Sequence, residues 1–448
     1  MTTNIALLGA GIFAKEAYIP ALFYLLKSKE QKKDLNVSLY AVYSRSRSSA
    51  ASLAALARKQ LGQEDSDGDK GPLIYYDVDE SHDAGVTTSA SSSNDLDALL
   101  KNKNIHAVII ALPITLQPSI IIRALENGKH VLSEKPVAPS VKEGLELIGK
   151  YEKEFRPKNL IWRVAENWEA EPAYRRLAQL TSGAGASSSV FSFGEGAIKE
   201  SEKDKKIGRV QFFRLTAVNY VDLDGKWYKT PWRTIPDYQG GFLLDGGVHS
   251  ACLLRLFLPS SAQPGEVSAH ASLTREHLKP LDTISGVIGC SPVSGQDVAS
   301  NDQNSNARTH GIFELSFGAP APSRASADKG GGGSLIITGD KGWVKVESVR
   351  VGDKPNYKLT IHSVTKVQER EGDVLEEEES IEVYEAKGVE VEVYAFLKSV
   401  AGDITKHSEG YLSTLGSPQE ALKDVAIIEA CLTSNGRPID LRKLVGDT

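Results

Sequence analysis

Asp245 and His249 lie four residues apart in the segment GGFLLDGGVH, which spans 240–249. On a helix, this spacing places both side chains on one face. Histidine exchanges protons near neutral pH, and a neighbouring carboxylate can orient the imidazole or a bound substrate. An isolated Asp-x-x-x-His is more often a helix N-cap followed by a surface histidine, so the pattern by itself leaves both interpretations open.

Lys135 adds a positive point charge in the segment SEKP, at 133–136. Hydride transfer from a carbinol carbon requires a group that removes the hydroxyl proton and a group that stabilises the developing negative oxygen. His249 is suited to the first task and Lys135 to the second. We therefore interpret Lys135, Asp245 and His249 as candidate catalytic residues.

A glycine turn near the N-terminus has the form of a dinucleotide-binding loop. Gly9-x-Gly11-x-x-Ala14 follows an apolar strand and opens a helix. The first glycine permits a tight turn, the second lets the backbone approach a pyrophosphate, and the small third residue lets helix and strand pack closely. Free N–H groups and the helix dipole favour phosphate there. Any α/β protein can contain such a turn, but its strand-turn-helix context favours nucleotide binding.

The end of the second predicted strand indicates which cofactor is bound. In such folds, a carboxylate there binds the ribose 2′-hydroxyl and an arginine accepts a 2′-phosphate. This chain has Ser44-Arg45-Ser46-Arg47-Ser48 and no acid, which predicts NADP in preference to NAD. The alternative is a solvated turn with helix-capping serines. Ser44 also follows Gly11 by 33 positions, which is more than the usual spacing of about 20.

Strand-like and helix-like segments alternate through the first third of the chain, which predicts parallel βαβ units. We expect strands at 4–8, 37–43, 107–112 and 130–133, and helices at 13–29, 48–61 and 119–127. Beyond residue 209, strands follow one another without helices between them, at 210–220, 311–317, 333–338, 343–351, 357–362 and 380–384. This change predicts a second, α+β domain with helices near its end, at 389–401 and 417–434. The polar, glycine-rich stretches at 63–71, 182–206 and 320–333 are predicted loops.

Several segments in order along the chain resemble one known family. The segment at 124–136, ALENGKHVLSEKP, is similar to the "AL..GKHV..EKP" signature of the glucose-fructose oxidoreductase/inositol dehydrogenase/MocA-like family. The segments at 240–249 and 339–344 resemble its "GG.L.D.G.H" and "GTKG.L" motifs, and 417–441 resembles its C-terminal helix. The resemblance implies a Rossmann domain, here 1–155, followed by an α+β domain, 156–448, with a large open, mostly antiparallel sheet. The C-terminal helix could pack back on the first domain.

The resemblance also implies roles for individual residues. Lys135 would contribute to both cofactor and substrate binding, and Asp245 and His249 would face the nicotinamide. We expect the cofactor to contact Glu134, Lys135 and the loop and strand-end residues Gly9, Gly11, Ile12, Phe13, Ser44, Arg45, Leu112 and Pro113. The family often has "PN..H" after the strand ending at Leu112, whereas this chain has Pro113-Ile114-Thr115-Leu116-Gln117. That departure bears on the substrate more than on the fold.

Four further side chains are candidates for substrate binding. Asn167 is expected at a strand end of the second domain, where the family often lines its pocket. Tyr228, Trp232 and Arg233 precede the glycine pair at 240–241 and could form pocket walls, although the aromatic residues could equally be core. The predicted substrate is a small polar molecule, sugar- or polyol-like or an aldehyde.

Composition excludes several other classes. The 448 residues carry a formal net charge of -6, which argues against nucleic acid as a partner. No apolar run approaches the roughly 20 residues that span a bilayer, and the N-terminus lacks a secretory pattern, so a cytoplasmic protein is expected. The three cysteines are widely spaced and give no zinc site. A homodimer packed through the second-domain sheet fits the resemblance.

Two other functions remain open at this stage. The family includes a corepressor of the galactose regulon that keeps the fold without turnover, so the chain could be a non-catalytic NADP sensor. A sensor has no need for Lys135 or His249, and both are present. A structural or interaction protein that uses its sheet to dimerise would leave the loop at Gly9 unexplained.

Overall fold

The computed structural model describes residues 2–27, 35–61, 71–78, 94–182, 207–291, 308–319, 333–366, 376–402 and 410–446. The three predicted loops lie outside these described residues, apart from Gly71, Ser182 and Gly333 at their margins. Backbone packing divides the chain into two compact units. The first unit comprises residues up to 138, 144–166 and 389–419, and the second comprises 139–143, 167–388 and residues from 420 onward. The predicted domain boundary after residue 155 stays a prediction.

The first sheet is the predicted Rossmann sheet. Its six strands run in the order β3-β2-β1-β4-β5-β6 and all its pairs are parallel, the usual order for a dinucleotide-binding fold. The strands are β1 (Thr3–Leu8), β2 (Val37–Ser46), β3 (Leu73–Val78), β4 (Ala107–Ile110), β5 (His130–Glu134) and β6 (Trp162–Ala165). Residues 5–8 and 107–110 are fully buried, as expected for strands covered on both faces. The sequence prediction missed β3, and it assigned the strand before Asn167, here β6, to the second domain.

Helices separate these strands. They are α1 (Ile19–Lys27), α2 (Arg47–Leu61), α3 (Leu96–Lys101), α4 (Gln117–Glu126) and α5 (Val141–Lys150). The helix predicted from residue 13 differs at its start, because Ala14–Tyr18 forms a π-helix that leads into α1. Pro20 lies just beyond it and has no N–H to donate to the carbonyl four residues earlier. The wider π-helical turn accommodates the proline, because such turns occur where the i→i−4 hydrogen bonds of an α-helix are interrupted.

The second sheet is mixed and mostly antiparallel, as predicted. Its nine strands run in the order β14-β13-β12-β11-β7-β10-β9-β8-β15, with β7 and β10 parallel. The strands are β7 (Val210–Val218), β8 (Gln263–Ser272), β9 (Thr283–Ser291), β10 (His310–Ser316), β11 (Ser334–Gly339), β12 (Gly342–Val351), β13 (Lys354–Lys366), β14 (Glu376–Glu385) and β15 (Ile439–Asp440). The sequence prediction missed β8, β9 and β15.

One face of this sheet is covered by helices of the second unit. Phe213 of β7 packs edge-on against Phe257, with ring centroids 5.4 Å apart, and Leu215 and Phe313 are buried beside them.

The remaining helices are α6 (Asn167–Ala170), α7 (Pro172–Ser182), α8 (Pro231–Thr234), α9 (Phe242–Asp245), α10 (Gly247–Phe257), α11 (Gly388–Val400), α12 (Pro418–Thr433) and α13 (Leu441–Val445). Among the described residues, none of the helices is long and apolar enough to cross a membrane.

Candidate active site

The loop between β1 and the first helical turn has the geometry of a phosphate loop. Gly9 has φ +111°, and a Cβ built there would lie 2.2 Å from the carbonyl oxygen of Ala111, so only glycine fits. Its N–H donates to the Tyr43 carbonyl at 2.8 Å. A Cβ built on Gly11 would meet nothing within 4 Å, which leaves its backbone open to a close neighbour. These two glycines fit a bound pyrophosphate.

Phe13 and Tyr18 follow this loop along the chain and contact each other. Their rings meet edge-on, with centroids 5.3 Å apart. The Tyr18 hydroxyl donates to Glu134 Oε1 at 2.5 Å, and Tyr18 is fully buried. Burial, followed by the charges of Glu134 and Glu392, raises the pKa of Tyr18 well above its usual value, so the phenol stays a donor. Glu134 is thereby anchored to the helix that follows the phosphate loop.

The segment around Lys135 is held from a second side. Ser133 is buried on β5 and accepts a hydrogen bond from Trp162 Nε1 of β6 at 3.0 Å. Glu134 is the last residue of β5, and the half-buried Lys135 follows it. The carboxyl ends of parallel strands are where such sheets bind ligands. Tyr18 and Trp162 were missed from the sequence because they lie 116 and 29 residues from their partners.

Lys129 of the GKHV segment has a structural role, unlike the role expected for Lys135. Its ammonium group donates to the carbonyls of Asn102 and Ile105 at 2.7 and 2.8 Å. Lys129 is buried, and that burial lowers its pKa. Lys129 therefore fastens the turn that leads into β4, which explains this part of the motif as structural.

The end of β2 contains both a helix-capping serine and the residues expected to bind a 2′-phosphate. The N–H of Ser49 donates to Ser46 Oγ at 3.4 Å, which is the hydrogen bond of a helix cap. Arg47 lies over the Tyr76 ring at 5.7 Å. Arg45 is exposed and Ser44 half-buried. Ser46 thus serves the helix, whereas Ser44 and Arg45 remain candidates for binding the 2′-phosphate.

The segment after β4 carries the departure from the family pattern. The strand ends at Ile110, two residues before the prediction, and a Leu112 Cδ atom lies 3.4 Å from the Cβ position built on Gly9. Leu112 thus borders the phosphate loop, and Pro113 follows it. Gln117, where the family often has histidine, is 1% exposed. Neither polar atom of its amide has a hydrogen-bond partner within the part of the chain that the structure describes.

In the second unit, Asp245 pairs with Arg233. Arg233 Nε donates to Asp245 Oδ2 at 2.7 Å, and the two side chains are 14% and 8% exposed. The guanidinium lies 4.0 Å from the Trp232 ring centroid and 5.1 Å from that of Trp227. The positive charge of Arg233 offsets the negative charge of Asp245. A carboxylate paired in this way is better suited to positioning a neighbouring group than to accepting a proton.

Tyr238 is a neighbour of Asp245 that sequence reasoning missed. Burial, followed by the charge of Asp245, raises the pKa of Tyr238. Its hydroxyl has no hydrogen-bond partner among the described residues. A buried phenol that keeps its proton beside a carboxylate is a potential donor to a ligand oxygen.

His249 lies in the first turn of α10 and stacks on Trp168. The ring centroids are 5.2 Å apart and the planes 21° from parallel. Asp245 ends α9, and Gly246 separates it from α10, so the single helix predicted for Asp245 and His249 is interrupted. A Cβ at Gly246 would lie 2.6 Å from the Phe317 ring, which explains why this position needs glycine.

The remaining predicted residues are placed as follows. Asn167 begins α6 directly after β6. The expectation of a second-domain strand was wrong, because the buried run at 162–165 pairs in parallel with β5 of the first sheet. Tyr228 meets His277 edge-on, with ring centroids 5.3 Å apart. Lys135 belongs to the first unit, and Asp245 and His249 belong to the second. Their joint action stays a prediction.

Comparison with known proteins identifies the family. Residues 3–156 match the model of an oxidoreductase family with an NAD-binding Rossmann fold. Residues 197–345 match the GFO/IDH/MocA C-terminal domain. The chain is also 32% identical to Dehydrogenase FPY6 of Fusarium mangiferae over 433 residues, 96% of each protein. The chain belongs to the GFO/IDH/MocA oxidoreductase family.

Other members extend the comparison. Levoglucosan dehydrogenase of Pseudarthrobacter phenanthrenivorans is 35% identical over 103 residues, which is 23% of this chain and 25% of that protein. The crystal structure of an oxidoreductase from Thermotoga maritima is 25% identical, with a TM-score of 0.66 over 99% of this chain and 100% of that one. The chain is therefore an oxidoreductase with a nicotinamide-dinucleotide-binding domain.

Proposed function

We propose that this member of the family transfers a hydride between NADP and the carbinol or carbonyl carbon of a small polar, sugar- or polyol-like substrate. One observation carries the proposal. Within the first unit, a phosphate loop that admits only glycine at position 9 is tied through Tyr18 to Glu134, the residue before Lys135. The residue before Lys135 is thereby anchored at the ligand-binding edge of a Rossmann sheet.

The residues of the first unit divide the binding of the cofactor among them. Gly9 and Gly11, with the N–H groups of Ile12 and Phe13, would hold the pyrophosphate. Ser44 and Arg45 would hold the 2′-phosphate, since a hydroxyl and a guanidinium bind a phosphate monoester well. Leu112, Pro113 and Glu134 would contact the nicotinamide end. When bound, the nicotinamide supplies or accepts the hydride.

Lys135, His249 and Asp245 would carry the chemistry of the substrate oxygen. Lys135 would bind that oxygen and stabilise its negative charge. His249 would accept the hydroxyl proton during oxidation and return it during reduction. Asp245, with its charge offset by Arg233 at 2.7 Å, would orient the substrate or His249.

The polar and aromatic groups of the second unit support a sugar-like substrate. Asn167 offers an amide, and Tyr228, Trp232 and Arg233 lie in the segment before the glycine pair. Aromatic faces and a few placed polar groups are the usual lining of a small-molecule site. The resemblance to levoglucosan dehydrogenase over 103 residues points the same way.

A panel of sugars, polyols, aldehydes and imines tests the proposal. We expect NADPH oxidation or NADP reduction, followed at the nicotinamide absorbance band, with at least one hydroxylated substrate. Turnover of an apolar aldehyde or imine while every carbohydrate fails would contradict the substrate class. Tight NADP binding without turnover of any compound would favour the sensor alternative.

A further inference from the structure

The His249 ring stacks on a side chain from another helix. Trp168 is the second residue of α6, and its ring lies nearly parallel to the imidazole at 5.2 Å. Gly246 and Gly247 precede Val248, and neither has a side chain that could pack against the imidazole of His249. The indole packs against the imidazole from a different helix.

Trp168 is itself braced by a buried aromatic pair. Its ring centroid lies 5.5 Å from that of Tyr174 on α7. Tyr174 is 4% exposed, and its ring centroid lies 4.8 Å from that of Tyr357 on β13. The two phenols are hydrogen-bonded to each other. The rings of His249, Trp168, Tyr174 and Tyr357 thus form a chain of contacts from α10 to the sheet.

A histidine that exchanges protons needs such support because its ring rotates easily about χ2. Staggered wells hold χ1, but rotation about χ2 of histidine is weakly restricted. The two ring nitrogens lie in the ring plane, so rotation moves the nitrogen that would reach a substrate oxygen. Stacking on a fixed indole restricts that rotation, since offset-parallel rings have a preferred geometry.

We propose that Trp168 is a positioning residue that sets the ring plane of His249 for proton exchange. This inference rests on the proposed function, because it assigns the partner of the proposed proton carrier. Trp168 acts through His249 and needs no contact with the reacting atoms. A flat ring at position 168 is the requirement, whereas an aliphatic side chain of similar bulk should fail.

Kinetics of Trp168→Leu and Trp168→Phe provide the first test. We expect the leucine variant to lose roughly 10- to 100-fold in kcat, the scale of a misplaced catalytic group. The phenylalanine variant should stay within about fivefold of wild type. The KM for NADPH should change by less than about twofold in both. Trp343→Leu is the matched control, because Trp343 also stacks on a histidine, His362, at 5.6 Å, and it should keep full kcat.

Nuclear magnetic resonance gives a readout that does not depend on turnover. The ring protons of His249, assigned by their absence in His249→Asn, should be shifted upfield by the indole in the wild type. Trp168→Leu should abolish that shift and Trp343→Leu should leave it. A leucine variant with wild-type kcat, or with unchanged His249 ring signals, would overturn the positioning role.

The two levels of the proposal fail differently. Full turnover by His249→Asn would overturn the proposed proton carrier and the role of Trp168 with it. Loss of turnover in His249→Asn combined with full turnover in Trp168→Leu would overturn the positioning role alone. Loss in both, with rescue by Trp168→Phe, supports both.

Discussion

The Arg233–Asp245 pair is the residue-scale feature of the site with the clearest energetic consequence. Both side chains are largely withdrawn from solvent, and removing one partner of such a pair leaves an uncompensated charge. We predict that Asp245→Asn lowers the free energy of unfolding by about 3 kcal/mol in urea denaturation. The exposed pair Lys229–Asp224, with side chains 61% and 87% exposed, provides the control. Asp224→Asn should change stability by less than about 1 kcal/mol, and equal effects would disprove the argument.

Cofactor preference is a second residue-scale prediction. Arg45→Asp replaces a cation at the end of β2 with a carboxylate, which repels a 2′-phosphate and can accept from a ribose hydroxyl. We expect NADP binding to weaken by roughly 10- to 100-fold, with NAD binding unchanged or improved, as measured by calorimetry. Arg437→Asp, at an exposed arginine of the second unit, should change neither affinity. A wild type that binds NAD more tightly than NADP would contradict the prediction.

Residue types were easier to predict than residue pairs. The sequence singles out Glu134, Lys135, Asp245 and His249 because their motifs are local. It cannot show that Tyr18 bonds Glu134 or that Trp168 stacks on His249, since those partners are 116 and 81 residues apart in sequence. Periodicity reports only which side chains share a face of one element.

At the scale of elements, the turn before β4 depends on a buried lysine. Lys129→Met would leave the carbonyls of Asn102 and Ile105 without their ammonium donor, and buried acceptors that lose a partner are costly. We predict that the free energy of unfolding falls by roughly 2–4 kcal/mol. Lys103→Met, at an exposed lysine in the same turn, should be nearly neutral. Thermal denaturation of the two variants tests this role, and equal unfolding temperatures would contradict it.

Elements with strong local patterns were predicted and weak ones were missed. Buried runs such as AVII at 107–110 identify their strands, whereas the local pattern did not reveal the π-helix at Ala14–Tyr18. The strands β8 and β9 are rich in Ser, Ala and Gly, residues that fit a pleated surface poorly on average. Their pairing with each other and with β10 is a tertiary effect that the local sequence does not contain.

At the scale of the whole molecule, we propose that the chain forms a homodimer through the face of the second sheet that carries exposed apolar side chains. Cross-strand register places Val287, Ile312, Arg214 and Ile336 in one row on one face. Val287 is 50% exposed, as is Phe212, and Ile381 is 61% exposed. Apolar side chains grouped on a sheet face commonly mark an interface.

Sedimentation tests this proposal. The wild type should sediment at twice the mass of one chain, and Val287→Asp should shift it toward the monomer, because a buried unpaired carboxylate disfavours association. Leu145→Asp is the control, at an exposed leucine of α5 that is 40% exposed, and it should leave the mass unchanged. A monomeric wild type at micromolar concentration would disprove the homodimer.

The proposed oxidoreductase chemistry makes its most direct prediction about where a hydride goes. We propose measuring, by mass spectrometry, deuterium transfer from NADPH labelled at the nicotinamide C4 into the product carbinol. Single turnovers are to be followed for the wild type, Lys135→Met, His249→Asn and the double variant. The wild type should give a product one mass unit heavier for one C4 label stereochemistry. Each single variant should transfer the label about 10²- to 10⁴-fold more slowly. The double variant should lose much less than the product of the two losses. Label that never appears in any product while NADPH binds, or transfer at the wild-type rate in both single variants, would contradict the account.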